Sequence, residues 1–160
     1  MIRLKVLSNT NDFSWHWVSV NPSHMITILN LVFSREESLN LTKKSKGIED
    51  QLNELNRRYK NRFNNFIKEV GIQTAETKLK EWESNEPIGV ALVKDLKELS
   101  ARLNDLRSFC KITLSDGTIF KVVGTMTELE LQIKIAKFDA INQQNNTSMF
   151  NSGVTRSYNS

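Results

Sequence analysis

The amino-acid sequence predicts an α+β fold, in which a long helical hairpin interrupts a small antiparallel sheet and a C-terminal helix and exchanging tail follow. Three observations support this prediction. Apolar and polar residues alternate near both ends of the chain, which is typical of half-buried strands. Between these ends, apolar residues recur every three or four positions, as on one face of a helix. A capping-box motif then opens a last helix.

Length and composition indicate a single domain with a modest core. The chain has 160 residues, of which 39% are hydrophobic and 25% are charged, enough to bury a real core. No run of about 18 apolar residues occurs, so we expect no membrane partner. The alternating N-terminus is unlike a signal peptide, which predicts a cytoplasmic location, in the host cell if the protein is phage-encoded. The formal charge of +4 permits an anionic partner without requiring one.

The sheet is assigned to residues 1–33 and 109–124. Residues 1–7 alternate between apolar and basic side chains, and aromatic and β-branched residues dominate the stretches "FSWHWVSV" and "HMITILNLVF". Pro22 cannot donate to a strand ladder, so it belongs in the connection between these two stretches. These patterns predict three strands before the helical segment.

The stretch "CKITLSDGTIFKVVG" predicts a β-hairpin. Asp116-Gly117 is the favoured dipeptide of a two-residue type I′ turn, because glycine tolerates positive φ. This register places Leu114 opposite Ile119 and leaves apolar side chains on both faces. We therefore expect the hairpin to be covered on both faces, by a helix of its own chain and by a partner.

The helical hairpin is assigned to residues 47–107, after a polar linker or frayed helix start at 34–46. Its second arm carries leucines at coiled-coil spacing, which would pack within the hairpin or against another subunit. These leucines are Leu92, Leu96, Leu99, Leu103 and Leu106.

The C-terminal helix is assigned to residues 126–141, opened by the capping box of Thr125 and Glu128. It is apolar over so much of its surface that we expect it to contact two partners at once. The Asn/Ser-rich tail, residues 142–160, is expected to dock on a neighbouring subunit. Together with the leucine seam and the two-sided hairpin, this predicts a homo-oligomer.

No catalytic, metal-binding or cofactor motif occurs, so we predict that the protein is not an enzyme and needs no cofactor. The single cysteine, Cys110, lies on an apolar strand face and is interpreted as a small buried hydrophobe. His16 and His24 lack a metal-ligand spacing and are interpreted as structural or ligand-contacting side chains.

Two groups of residues are candidates for binding an anionic, aromatic ligand. The first comprises Trp15 and Trp17, with Asn21 and His24 close in sequence, because indole faces stack on bases and polar side chains bond phosphate or ribose. The alternative is that both tryptophans are core residues.

The second candidate group combines Arg107 with Arg156 and Tyr158 of the tail, since the arginine fork suits phosphate. The alternative is ordinary surface charge. The basic run at residues 57–62 shares its helix with carboxylates and is interpreted as a solvated surface, so we do not expect nucleic acid as a partner.

Two stretches, "WVSVNPSHMITI" and "CKITLSDGTIFKVVGTMTELELQI", resemble the small FlbD-like proteins of flagellar motility, which occur in bacteria and phages. Those proteins combine a strand bearing a short VNP motif, an I-x-L-x-D/N-G hairpin and a helix. The resemblance covers less than a third of the chain, and a long helical segment separates its two halves here.

In this interrupted layout the chain is similar to the Thoeris anti-defence proteins of phages, which sequester cyclic ADP-ribose signals without cleaving them. The similarity implies a non-enzymatic protein that binds a small nucleotide at oligomer interfaces. Two alternatives stay open. One is a phage structural or assembly protein. The other is a nucleic-acid-binding regulator, because "TMTELELQI" is also similar to a helix of LytTR-type domains, although those domains continue with further strands.

Overall fold

The computed structural model describes residues 1–153, with side chains described through residue 144. The described chain forms five strands and four α-helices, which confirms the predicted α+β class. The strands are β1 (Ile2–Leu7), β2 (Trp15–Val20), β3 (Met25–Asn30), β4 (Phe109–Leu114) and β5 (Ile119–Val123). The helices are α1 (Arg35–Val70), α2 (Ile72–Asn85), α3 (Pro87–Asp105) and α4 (Met126–Gly153). None of these helices is long and apolar enough to cross a membrane.

The chain divides into two compact units. The sheet unit comprises Met1–Asn9, Ser14–Val32 and the described residues from Ser108 onward, and the helical unit comprises Thr10–Phe13 and Phe33–Arg107. The sheet unit therefore combines segments that precede and follow the helical unit in sequence.

The five strands form one antiparallel sheet in the order β2-β1-β5-β4-β3, drawn from the segments predicted to be strands. Residues 21–24 alone join β2 to β3, which lie at opposite ends of this order. In a flat sheet, β2 and β3 would be four strand spacings apart, which is about 19 Å. A connection of four residues is too short to cover this distance, so the sheet must be strongly curled. Its inner face packs against α4 around a common core. This core is formed by Ile2, Leu4, Val6, Val20, Cys110, Ile112, Val122, Leu129 and Ile133.

The β4–β5 hairpin has a three-residue loop rather than the predicted two-residue turn. The Leu114 amide donates to the Thr118 carbonyl at 2.8 Å, so residues 115–117 form the loop. Gly117 adopts φ 89°, the left-handed conformation that ends a three-residue hairpin loop. The predicted pairing of Leu114 with Ile119 is therefore wrong by one residue.

This shift redistributes the side chains between the two faces of the hairpin. Ile112 lies opposite Phe120, and Cys110 lies opposite Val122, so all four share the inner face. Because side chains alternate along a strand, a shift of one residue in the register moves every side chain of that strand to the other face of the sheet. Ile119 is 55% exposed on the opposite side. Within its own chain the hairpin has one face packed in the core, and the expected covering of the other face by a partner stays a prediction.

Helix α4 begins at the predicted capping box and extends beyond its predicted end. The Thr125 hydroxyl accepts from the Glu128 amide at 3.1 Å. The helix continues to Gly153 instead of ending at residue 141, because no proline or glycine interrupts the chain before that position. The remainder of the predicted tail, from residue 154, lies outside the described residues.

Helix α1 begins at Arg35, so the segment 34–46 is not a linker. Ser34 accepts from the Glu37 amide at 3.1 Å, and the Glu37 carboxylate accepts from the Ser34 amide at 2.9 Å. This reciprocal pair satisfies two amides that would otherwise lack partners at the helix start. Sequence periodicity missed it because the first turns of α1 are polar.

The helical unit contains three helices, because the joint between the two long helices of the predicted hairpin is itself helical, where "TAETKLKEWES" indicates a short helix. Helix α1 ends at Val70 with Gly71 as its C-cap, and α2 and α3 both pack against it. Leu92 lies in a buried cluster with Phe66, Leu79 and Trp82, and Leu96 packs on that cluster. Leu99 and Leu106 are buried as well. The leucine seam of α3 is therefore largely packed in its own chain.

Candidate functional site

The strands separate packing and charge onto opposite faces of the sheet. The five strands contain no aspartate or glutamate. Their four cationic side chains, Arg3, Lys5, Lys111 and Lys121, all alternate with the core residues and therefore project from the other side, which we call the outer face. Every cation of the sheet thus lies on one surface.

Trp15 and Trp17 project from the same outer face as two of these cations. Lys5 lies opposite Trp17 in the β1–β2 register. The indole rings meet edge to face at 5.2 Å. The Arg3 guanidinium lies 4.4 Å from the Trp17 ring centre, and the Lys5 ammonium lies 4.8 Å from that of Trp15. These four residues are called the tryptophan–cation cluster below.

Exposure of the tryptophan–cation cluster shows that the tryptophans are not both core residues. Trp17 is 46% exposed, and Trp15 is half-buried. An exposed indole face can stack on a planar ligand, and a neighbouring guanidinium can bond phosphate through its paired donors. The local potential favours an anion, because β1 and β2 contribute cations and no carboxylate.

The outer face extends beyond this cluster onto β5 and β4. Lys111 and Lys121 lie directly opposite each other in the β4–β5 register. Like charges at directly opposed positions destabilise a sheet, so packing does not explain the pair. Sequence analysis noted the alternation of Arg3 and Lys5 but did not assign any of the four cations to a site. The missed signal is the absence of carboxylates from all five strands.

The structure gives Asn21 and His24 local structural contacts. The Asn21 side chain accepts from the Ser23 amide at 3.1 Å and caps the short 3-10 turn that precedes β3. The His24 carbonyl accepts from the Ser115 amide at 2.7 Å, beside the β4–β5 loop. The Asn21 side chain therefore has a structural role as a cap, whereas the His24 contact involves only the backbone.

The second predicted group is not assembled within the described residues. Arg107 is exposed after α3, where its amide donates to the Asn104 carbonyl at 3.2 Å. Arg156 and Tyr158 lie outside the described residues. Arg107 belongs to the helical unit.

Cys110 is buried on the inner face, in agreement with its interpretation as a small hydrophobe. It is 1% exposed, and its Sγ donates to the Gly124 carbonyl at 3.3 Å. Burial raises the pKa of the thiol, and the nearby carboxylates of Glu128 and Glu130 add to the shift. A protonated, inaccessible thiol is a poor nucleophile.

Comparison with known proteins identifies no relative of this chain. No protein-family model matches it, and neither curated proteins nor solved structures give a match. Among the described residues, no three histidine, cysteine, aspartate or glutamate side chains are grouped to hold a metal ion.

Proposed function

We propose that this chain is a non-catalytic binding protein that holds a nucleotide-type ligand, an aromatic base carrying phosphate, on the outer face of its sheet. The tryptophan–cation cluster is the observation that supports this function. It combines an indole that is 46% exposed with a guanidinium 4.4 Å from its ring centre, on strands free of carboxylates.

The two parts of such a ligand match the two parts of the cluster. Stacking of a base on an aromatic side chain contributes about 1–3 kcal/mol. Arg3 and Lys5 would donate hydrogen bonds to the phosphate, and Arg3 offers paired donors for two phosphate oxygens. Since no base or nucleophile is required, the ligand is held and released unchanged.

The biological role that we propose is sequestration of a cyclic nucleotide immune signal of the cyclic ADP-ribose type by a phage anti-defence protein. Such a signal carries an adenine and a pyrophosphate, which are the two features that the tryptophan–cation cluster would recognise. This role is supported by the resemblance of the interrupted layout, together with the chemistry of the outer face.

Thermal unfolding in the presence of cyclic ADP-ribose isomers, ADP and adenosine tests this function. A ligand that binds the folded state raises the melting temperature in proportion to RT ln(1 + [L]/Kd). We expect cyclic ADP-ribose and ADP to stabilise the protein and adenosine, which lacks phosphate, to do so far less. Arg3→Gln should remove most of the difference, whereas Arg102→Gln, an exposed arginine of α3, should not. Equal effects of the two variants would contradict the proposal.

A second candidate function, binding of single-stranded nucleic acid, is favoured by the continuation of positive charge across β5 and β4. Arg3 and Lys5 are neighbours on one face of β1, Lys121 on β5 lies diagonally across from Lys5, and Lys111 on β4 lies directly opposite Lys121. Neighbouring side chains at such positions lie about 5–8 Å apart. A flexible polyanion could follow this path, with its bases stacked on the tryptophans.

A series of oligonucleotides of increasing length separates this candidate from mononucleotide binding. If the polyanion path is used, affinity should rise with length and fall steeply with salt, and Lys111→Gln should reduce the salt slope by about 1. Affinity that is independent of length would leave only the nucleotide function.

We further propose that the protein is a homo-oligomer whose subunits pair through α4. Leu131, Ile135 and Phe138 are 57%, 54% and 63% exposed and repeat at four and three residues along the helix. A parallel pairing at this spacing places Lys134 of one helix next to Asp139 of the other, the arrangement that orients coiled coils. Opposite charges at these positions therefore favour a second copy as the occupant.

Mass measurement by light scattering with charge exchange tests this pairing. Phe138→Glu should give monomers, since it buries a charge in the seam. Lys134→Asp and Asp139→Lys should each weaken the oligomer, and the double exchange should restore it. A mass that is the same for all four variants would contradict pairing through α4.

A further inference from the structure

The helical unit contains a groove with an apolar floor and a polar wall. Helix α1 contributes Leu55, Arg58, Asn61, Arg62 and Asn65 to its lining, α2 contributes Trp82, and α3 contributes Ile88, Ala91, Leu92 and Asp95. Trp82 and Leu92 are buried, whereas Ile88 is 76% exposed at the rim. The groove thus places cationic and amide groups on the α1 side and mainly apolar groups on the α3 side.

Arg62 is held in this groove by aromatic rings rather than by a carboxylate. Its guanidinium carbon lies 4.4 Å from the Phe66 ring centre and 5.9 Å from that of Trp82. Its Nε atom is buried and has no hydrogen-bond acceptor in the described structure. Stacking leaves the donors of a guanidinium unsatisfied, and a partly buried cation without an acceptor is costly.

Arg58 adds a second cation whose carboxylate partner is shared. Glu54 accepts from Arg57 at 2.9 and 2.6 Å and from Arg58 only at 3.4 Å. Because the Arg57 contacts are shorter and bidentate, Arg58 keeps donor capacity on the groove side of α1.

From these observations we propose that the groove is a binding site for a small organic anion with an apolar body. The carboxylate or phosphate of the ligand would meet Arg62 and Arg58, Asn61 and Asn65 would supply further donors, and the apolar body would cover Trp82 and Leu92. Asp95, on the opposite wall, disfavours a second negative charge at that end. The site is independent of the outer face of the sheet and of the function proposed for it.

A titration followed by the indole N–H signals in a ¹H–¹⁵N spectrum tests the site. The probes are phenylacetate and phenyl phosphate, with neutral phenylacetamide as the matched control. We expect the two anions to move the Trp82 signal saturably, and this signal alone reports on the groove because Trp82 is the tryptophan that lines it. Phenylacetamide, which lacks the charge, should bind about tenfold more weakly, as expected for loss of a charge-assisted hydrogen bond.

Substitutions of arginines on α1 identify the cation that binds the anion in the groove. Arg62→Gln should weaken anion binding about tenfold, whereas Arg35→Gln, which removes an exposed cation of α1 that does not line the groove, should not change it. If Arg62→Gln lowers the melting temperature too far for titration, Arg58→Gln replaces it with the same direction of effect. Binding of phenylacetamide equal to that of phenylacetate, or equal affinities in the groove and control variants, would overturn the proposal.

Discussion

On the inner face of the sheet, Leu4, Ile112 and Val122 are at most 1% exposed, whereas on the outer face Trp17 is 46% and Ile119 is 55% exposed. Both sets of side chains come from the same strands, at alternating positions. Packing accounts for the inner set, because each residue contacts others in one continuous core. It does not account for the cations and the exposed indole on the outer face.

The difference between the two faces indicates that one strand can contribute to the stability of the fold and, separately, to binding. Stability depends mainly on the inner positions, and the proposed binding depends on the outer ones. Substitutions one residue apart should therefore have different consequences, which can be tested by pairing each inner variant with an outer variant.

The largest effect is expected from truncation of the inner face. Ile112→Ala should lower the free energy of unfolding by about 2–5 kcal/mol, because it leaves a cavity in the core. Ile119→Ala on the outer face, 55% exposed, should change it by less than about 0.5 kcal/mol. Urea unfolding followed by circular dichroism measures both values. Equal losses would mean that the two faces are not distinct.

A smaller effect is expected at the loop that sets the hairpin register. Gly117→Ala should cost about 1–2 kcal/mol, since φ 89° is unfavourable for a residue with a Cβ. Gly47→Ala is the matched control, because Gly47 lies within a helix where a Cβ meets nothing within 4 Å, and alanine should be neutral or stabilising there. A neutral Gly117→Ala would contradict the positive φ at this position.

The hairpin also shows how far the sequence determines the two faces. Alternation in β1 correctly places Ile2 and Leu4 inside, and the dipeptide Asp116-Gly117 correctly predicts a turn. The loop length was wrong because Asp-Gly occurs in two-residue and three-residue loops alike, and only the latter gathers the large apolar side chains on one face. The choice between the two loop lengths depends on which side chains the complete sheet buries, and a local sequence pattern does not contain that information.

The candidate site was predictable only in part, for a related reason. Aromatic composition identified Trp15 and Trp17, and the inclusion of Asn21 and His24 in the same site stays a prediction. The cations that do contact the tryptophans, Arg3 and Lys5, come from a neighbouring strand. Their assignment needed the β1–β2 register, which no local pattern supplies.

Trp17→Ala should separate binding from stability. We expect a loss of about 0.5–1 kcal/mol in the free energy of unfolding, from the cation–π contact with Arg3. Affinity for cyclic ADP-ribose or ADP should fall about 5- to 150-fold, since a stacked base is worth about 1–3 kcal/mol. Calorimetric titration measures the affinity. Unchanged affinity in a folded variant would remove Trp17 from the site.

The smallest effect concerns pH and the inner face. Because the pKa of Cys110 is raised in the folded state, its contribution to stability is complete below the pKa of a free thiol, about 8.5. That contribution is lost as pH rises towards the folded pKa. The free energy of unfolding should therefore fall more steeply above pH 8.5 in the wild-type protein than in Cys110→Ala. Parallel curves would indicate an accessible thiol.

The indole N–H signals provide the most direct measurement of the central claim, that the outer face holds a nucleotide-type ligand. The chain has three tryptophans, two in the tryptophan–cation cluster and one, Trp82, in the helical unit. During titration with cyclic ADP-ribose or ADP, the signals of Trp15 and Trp17 should shift saturably while that of Trp82 stays in place. A saturable shift of Trp82 alone, or no shift of any signal, would contradict the claim.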